Sequence, residues 1–148
     1  MLRSLCCLSR RPDRVRLPDL EQYLFASATR SRALNISGFL AIGETVILDL
    51  VEGGGDEVAH LRDALETEGE RPDFRVVWEA RTPVREFDRW SVARLNPRFT
   101  QLLIADAGVK DEAAAIEATA PEDLIDYFQT GAFRSGGAEI RLLSAPLN

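Results

Sequence analysis

Histidine and lysine occur once each in this 148-residue chain, as His60 and Lys110. A lone imidazole cannot build a histidine-based metal cage, which needs several nitrogen ligands converging on one ion. Cysteine occurs twice, in the adjacent positions Cys6 and Cys7. Neighbours on a strand project to opposite faces, so the pair offers neither a disulfide framework nor a CxxC redox motif. Long hydrophobic runs are missing too: nothing approaches the roughly 18 apolar residues that span a bilayer. The first apolar run, Leu5-Cys6-Cys7-Leu8, meets Arg10 and Arg11 before it reaches the length of a signal-peptide core. A cytoplasmic protein with no membrane partner is expected.

Acidic residues outnumber lysine plus arginine by 24 to 18, for a formal charge of -6. A surface of that sign repels phosphate backbones, which argues against nucleic acid as a partner. The cationic side chains are almost all arginine, a pattern that suits phosphate recognition and equally follows from a GC-rich genome. The hydrophobic share of 45% and charged share of 28% are those of a globular protein. The length suits one domain with one sizeable core.

Residues 3–9 read as a buried strand, followed by a polar, proline-bearing loop from Arg10 to Pro18. From Asp19 the apolar spacing turns helical, with Leu20, Leu24 and Ala28 four apart and Asp19 and Gln22 at capping-box spacing. This helix is expected to end near Leu34. Asn35 to Ile42 and Thr45 to Glu52 read as a hairpin turning at Gly43-Glu44. Gly53-Gly54-Gly55 is expected to break the second strand. The run lacks the lysine and hydroxyl residues of a P-loop, so a turn is a better reading than a phosphate cradle. Asp56 opens a second helix with Val58, Leu61 and Leu65 as its buried stripe, leaving His60 toward solvent. Phe74 to Ala80 and Ser91 to Leu95 supply two more strands. The order βαββαββ predicts an α+β, ferredoxin-like fold: a five-stranded mixed sheet with two helices on one face. Residues 96–148 are expected to form a C-terminal helical extension, with helices over Asp111 to Ala120 and Pro121 to Phe133. Ile140 to Leu143 is read as a short strand or an extended arm.

The runs Leu34-Asn35-Ile36-Ser37-Gly38-Phe39-Leu40 and Leu48-Asp49-Leu50-Val51-Glu52-Gly53 resemble the hairpin signature of the BLUF family, sensors of blue light using FAD. Leu5-Cys6-Cys7-Leu8-Ser9 is similar to that family's first strand, and Phe87-Asp88-Arg89-Trp90-Ser91 to its Phe-x-x-Trp-Ser segment. The likeness covers residues 3–95 in order and spacing, so residues 1–95 are read as a BLUF-like domain. It implies FAD as the cofactor, with the isoalloxazine ring between the two helices and above the central strands. It also implies a photocycle in which light moves an electron and a proton from a tyrosine on the first strand, through a glutamine on the third, to the flavin. The positions that match the flavin pocket are Cys7, Ser31, Asp49, Arg71 and Trp90. Cys7 stands at the tyrosine, Asp49 at the glutamine and Ser31 at a flavin-bonding asparagine. Val92 replaces a methionine two residues after Trp90, and Trp90 alone keeps the family's residue. Arg71, within Glu68-Gly69-Glu70-Arg71-Pro72 where basic residues are usual, is the remaining partner for the phosphate end.

A carboxamide donates and accepts hydrogen bonds, whereas an ionised carboxylate only accepts. Asp49 therefore cannot perform the glutamine's rearrangement, and a thiol cannot simply replace the phenol. The expectation is a sensory or regulatory domain whose BLUF photochemistry is lost. It would act by contact with a protein partner, or as a homodimer, through the sheet face and C-terminal helices. The alternative is an FAD-binding blue-light photoreceptor. Taken alone, Cys7 reads as a small core residue and Trp90 as a buried aromatic. Alternation puts Asp49 on the strand face of Ile47 and Val51, toward the helices. A carboxyl there must pair, hydrate or stay protonated: it reads as a general acid/base with a perturbed pKa or, the favoured reading, as a carboxyl paired with a helix hydroxyl such as Ser31. Enzymatic activity is not expected, because no basic residue, metal set or second nucleophile completes a constellation around Cys7 and Asp49.

Overall fold

The computed structural model describes residues 2–12, 22, 26, 29–67, 71–95, 97–130 and 143–146. Strand β1 (Leu2–Arg10) has six consecutive buried residues, Ser4 to Ser9, as a central strand covered on both faces requires. It pairs with β3 (Val46–Gly54) on one side and β4 (Arg75–Thr82) on the other, both antiparallel. Strand β2 (Ser37–Ile42) pairs antiparallel with β3 and parallel with β5 (Arg89–Arg94). The expected five-stranded mixed sheet is present. A sixth strand, β6 (Leu143–Pro146), extends it along β5, giving the order β4-β1-β3-β2-β5-β6. Of the run Ile140 to Leu143 read from sequence, the first three residues lie outside the described residues, and an edge position tolerates the missing N–H of Pro146.

The hairpin turns where expected: the Gly43 amide donates to the Val46 carbonyl at 2.8 Å. Gly38 on β2 has φ +134, and a Cβ there would fall 1.9 Å from the Leu50 carbonyl oxygen, so only glycine lets the two strands approach. The glycine run does not break β3 where expected. Gly53 and Gly54 stay in register with Arg3 and Leu2, and the helix α1 (Gly55–Thr67) begins directly at the third glycine.

Two apolar layers sandwich the sheet. On one face Leu5, Cys7, Leu40, Ile47, Val51 and Trp90 pack with Val58, Leu61 and Leu65 of α1. Each such leucine or valine contributes about 1.5–3 kcal/mol by leaving water. Leu34 and Ile36, at the end of the first helix, join the same layer. Of that helix the structure describes helical residues 22, 26 and 29–33, and the rest of the expected 19–34 span lies outside the described residues. Its end is a Schellman arrangement, in which Ile36 N–H donates to Ser31 C=O, Asn35 N–H donates to Arg32 C=O, and Asn35 sits at φ 56. That closure fixes Ser31 one turn above the sheet.

On the other face Cys6, Leu8, Phe39, Leu48 and Leu50 pack against Ile116, Leu124 and Phe128. These belong to α3 (Glu112–Ala118) and α4 (Pro121–Thr130), within the two helical spans read from sequence. Asp111 caps α3 by accepting from the Ala114 amide at 2.8 Å. A further helix, α2 (Pro97–Ala107), was not anticipated, and it packs on α3. Asn96-Pro97 is its signal, because proline at the first helical position gives up only an N–H that has no helical partner. The expected extension of α4 to Phe133 falls outside the described residues.

Candidate functional site

Strands β1 and β3 place Cys7 and Asp49 as direct cross-strand partners. Asp49 is 2% exposed and Cys7 fully buried. Asp49 is not paired with Ser31. Arg71, which follows the second helix, turns inward instead of toward a phosphate and clasps the carboxylate with both terminal nitrogens. Nη1 lies 2.5 Å from Oδ2 and Nη2 lies 3.2 Å from Oδ1. The same Nη1 donates to Ser9 Oγ at 3.3 Å, and the guanidinium side chain has no exposure. Ser9 shares the strand face of Leu5 and Cys7, so the ion pair lies across β1 and β3 beneath the helix layer. A bidentate geometry of this kind is what offsets the desolvation of two opposite charges.

The remaining pocket positions are close in the fold but do not join that pair. Trp90 is fully buried opposite Gly38 on the parallel strand. Ser31 is 1% exposed on the helix above. Among the described residues neither Ser31 Oγ nor Trp90 Nε1 has a hydrogen-bond partner. Beside α1, a cleft of about 400 Å³ carries Arg3 and Arg62, but both guanidiniums converge on Glu79, at 2.7 and 3.5 Å.

The two cysteines divide between the faces, Cys7 in the α1 layer and Cys6 in the α3–α4 layer. Burial pushes both thiols far above their ordinary 9.0, and the charge of Asp49 adds to the effect. An unfolded chain loses these protons near pH 9.0 while the folded one keeps them. The folded state then binds more protons, so stability is fully present below that pH and falls as pH rises through and beyond it. Thermal unfolding followed by circular dichroism should show this alkaline loss, with a shallower slope in a C6A/C7A variant. An equal slope in both would assign the loss to other groups.

Sequence reasoning missed two buried carboxylates. Glu52, 2% exposed, accepts from Ser37 Oγ at 3.0 Å and from the amides of Glu86 and Phe87, so it fastens the β4–β5 loop to β3. Arg85 completes the knot by donating to Ser37 Oγ at 2.7 Å and to the Asn35 carbonyl at 2.8 Å. Glu112 at the start of α3 accepts from the β2–β3 turn. For Glu52 the available signal was an acid in an otherwise apolar strand. For Glu112 no local signal exists, because its partners lie more than sixty residues away.

These features define an α+β module with a polar cluster sealed between a sheet and its helix layer, and with a helical cap on the opposite face. The chain belongs to the BLUF family, sensors of blue-light using FAD, whose model matches residues 2–93. Among solved structures it is similar to BlrB, a BLUF protein in its dark state, at 22% identity and TM-score 0.68, covering 88% of this chain and 95% of that one. BlsA in its ground state gives 18% identity and TM-score 0.69, with 90% and 88% covered. A bacterial light-regulated adenylyl cyclase gives 16% and 0.67, with 88% of this chain and 40% of that one covered. A search of curated proteins gave no match. Among the described residues no helix is long and apolar enough to cross a membrane.

The pyrimidine edge of a flavin presents carbonyl acceptors beside an N–H donor. Asp49 adds only acceptors, and both of its oxygens are engaged by Arg71. The donor and acceptor set over β1 and β3 does not fit that edge. Ser31 Oγ and Trp90 Nε1, without a partner among the described residues, are donors that suit a carbonyl, but they stand on the first helix and on β5 and not over β1 and β3.

Proposed function

We propose that this BLUF-family chain is a regulatory module that works by protein–protein contact and has given up the family's photochemistry. The observation that supports this most directly is the Asp49–Arg71 pair, which satisfies the charge of the carboxylate from within the protein. A phenol and a carboxamide are the two groups on which the family's photocycle depends, and Cys7 and Asp49 supply neither function. Burial that holds the Cys7 thiol protonated further separates it from electron and proton donation. Output through contact is supported by the apolar sheet face beneath α3 and α4, and the partner is either another protein or a second copy. No catalytic role is assigned to the chain.

The purified protein is expected to lack flavin absorption between about 350 and 500 nm and to show no reversible red shift under blue light when FAD is supplied. A light-dependent shift of bound flavin would overturn the reading. The second reading, an FAD-binding blue-light photoreceptor, is favoured by the unpartnered Ser31 Oγ and Trp90 Nε1, since buried donors usually have an acceptor. Flavin bands in the same spectrum would select it.

A further inference from the structure

Glu112 is the first residue of α3 and is 5% exposed, yet its carboxylate does not serve its own helix, whose Ala114 amide is already capped by Asp111. It reaches across to the β2–β3 turn. Oε1 accepts from the Thr45 amide at 3.1 Å, the Val46 amide at 3.1 Å and Thr45 Oγ1 at 3.2 Å, and Oε2 accepts from the Glu44 amide at 3.3 Å. Three successive backbone amides and a hydroxyl form a socket of the kind that holds an anion. Gly43 leaves the room for it, because a Cβ at that position would lie 2.1 Å from Glu112 Oε1.

We propose that Glu112 is the latch of a hinged C-terminal cap, and that its seat in the β2–β3 turn sets how readily α3 and α4 lift from the sheet. Two other polar ties across this boundary are exposed to solvent. Arg75 with Glu117 is a solvent-exposed ion pair, and Gln129 Nε2 makes an exposed contact with the Glu86 carbonyl at 2.7 Å. What the cap covers is apolar: Leu8, Phe39, Leu48 and Leu50, with the rings of Phe39 and Phe128 4.6 Å apart. Lifting the cap exposes a face suited to an amphipathic helix, which would regulate the contact surface of the proposed function and in that respect rests on it. The same turn is held by Arg11, the residue after β1, which donates to the Gly43 carbonyl at 3.2 Å, and Asp49 lies three residues beyond Val46 on β3. A shift of the hairpin on the helix face is thereby felt by the cap on the other.

Hydrogen exchange followed by mass spectrometry on the full chain tests the latch without any partner or flavin. In E112A the peptides of α3 and α4 are expected to exchange about tenfold or more faster, while those of β1 and β3 keep their protection. G43A should give the same pattern by evicting the carboxylate, and G43A/E112A should be no faster than E112A alone. If G43A does not fold, E112Q provides the test, with a smaller acceleration confined to the same helices. Uniform acceleration over all peptides, an unchanged cap, or additive effects in the double variant would each refute the latch. The protein-contact reading fails separately, if a cap-opened variant that passes this test still binds neither a partner helix nor a second copy.

Discussion

Replacing Arg71 by methionine is expected to lower the stability of the protein by about 3–5 kcal/mol, a large share of what a domain of this size has. Methionine fills much of the arginine's volume, so the loss reports charge and not a cavity. It leaves the Asp49 carboxylate 2% exposed with its bidentate partner gone. Asp49→Leu strands the guanidinium in the same way and should cost a similar amount. The double variant D49L/R71M removes both charges and is expected to lie within about 1–2 kcal/mol of the parent, in either direction. The double-mutant cycle, read from urea midpoints at neutral pH, therefore carries a coupling energy larger than either partner's value in isolation. A cost below about 1 kcal/mol for R71M would mean that the pair behaves as a surface ion pair and does not secure the site.

The scaffold was legible in the sequence because its signals are local. The short apolar run Leu5 to Leu8, the turn at Gly43, and the stripe Val58, Leu61 and Leu65 are each signals carried within one element or turn. Even the separation of Cys6 from Cys7 was a matter of strand geometry. What stayed hidden was pairing at long range. Asp49 was recognised as a buried carboxyl that needs a partner, but Ser31 was assigned that role because it lies on the helix layer. Arg71 was read as the remaining partner for the phosphate end of a flavin, and not as the partner of Asp49. Nothing in the chain order says that a residue 22 positions away will turn inward. Glu112 shows the same limit at greater distance.

The Asp49–Arg71 pair changes what restoring the flavin site requires. From the sequence alone, C7Y/S31N/D49Q returns the phenol, the carboxamide and the helix asparagine to their family positions. In the folded protein that triple variant leaves Arg71 fully buried opposite neutral groups, the uncompensated charge that costs several kcal/mol. It also puts a phenol into the space beside the guanidinium, and overpacking there adds about 1–3 kcal/mol. The triple variant is therefore expected to be strongly destabilised and to retain no flavin. Adding R71A removes the charge and vacates its volume, so the quadruple variant should recover most of the folding stability. It should also bind FAD, read as visible absorbance after purification and as quenching of FAD fluorescence on titration. Equal flavin binding by the triple and quadruple variants would show that Arg71 does not occupy the ring's place. If the quadruple variant folds and still binds none, the helix layer has closed over the pocket by repacking, and no polar exchange at Cys7, Ser31 and Asp49 will reopen it.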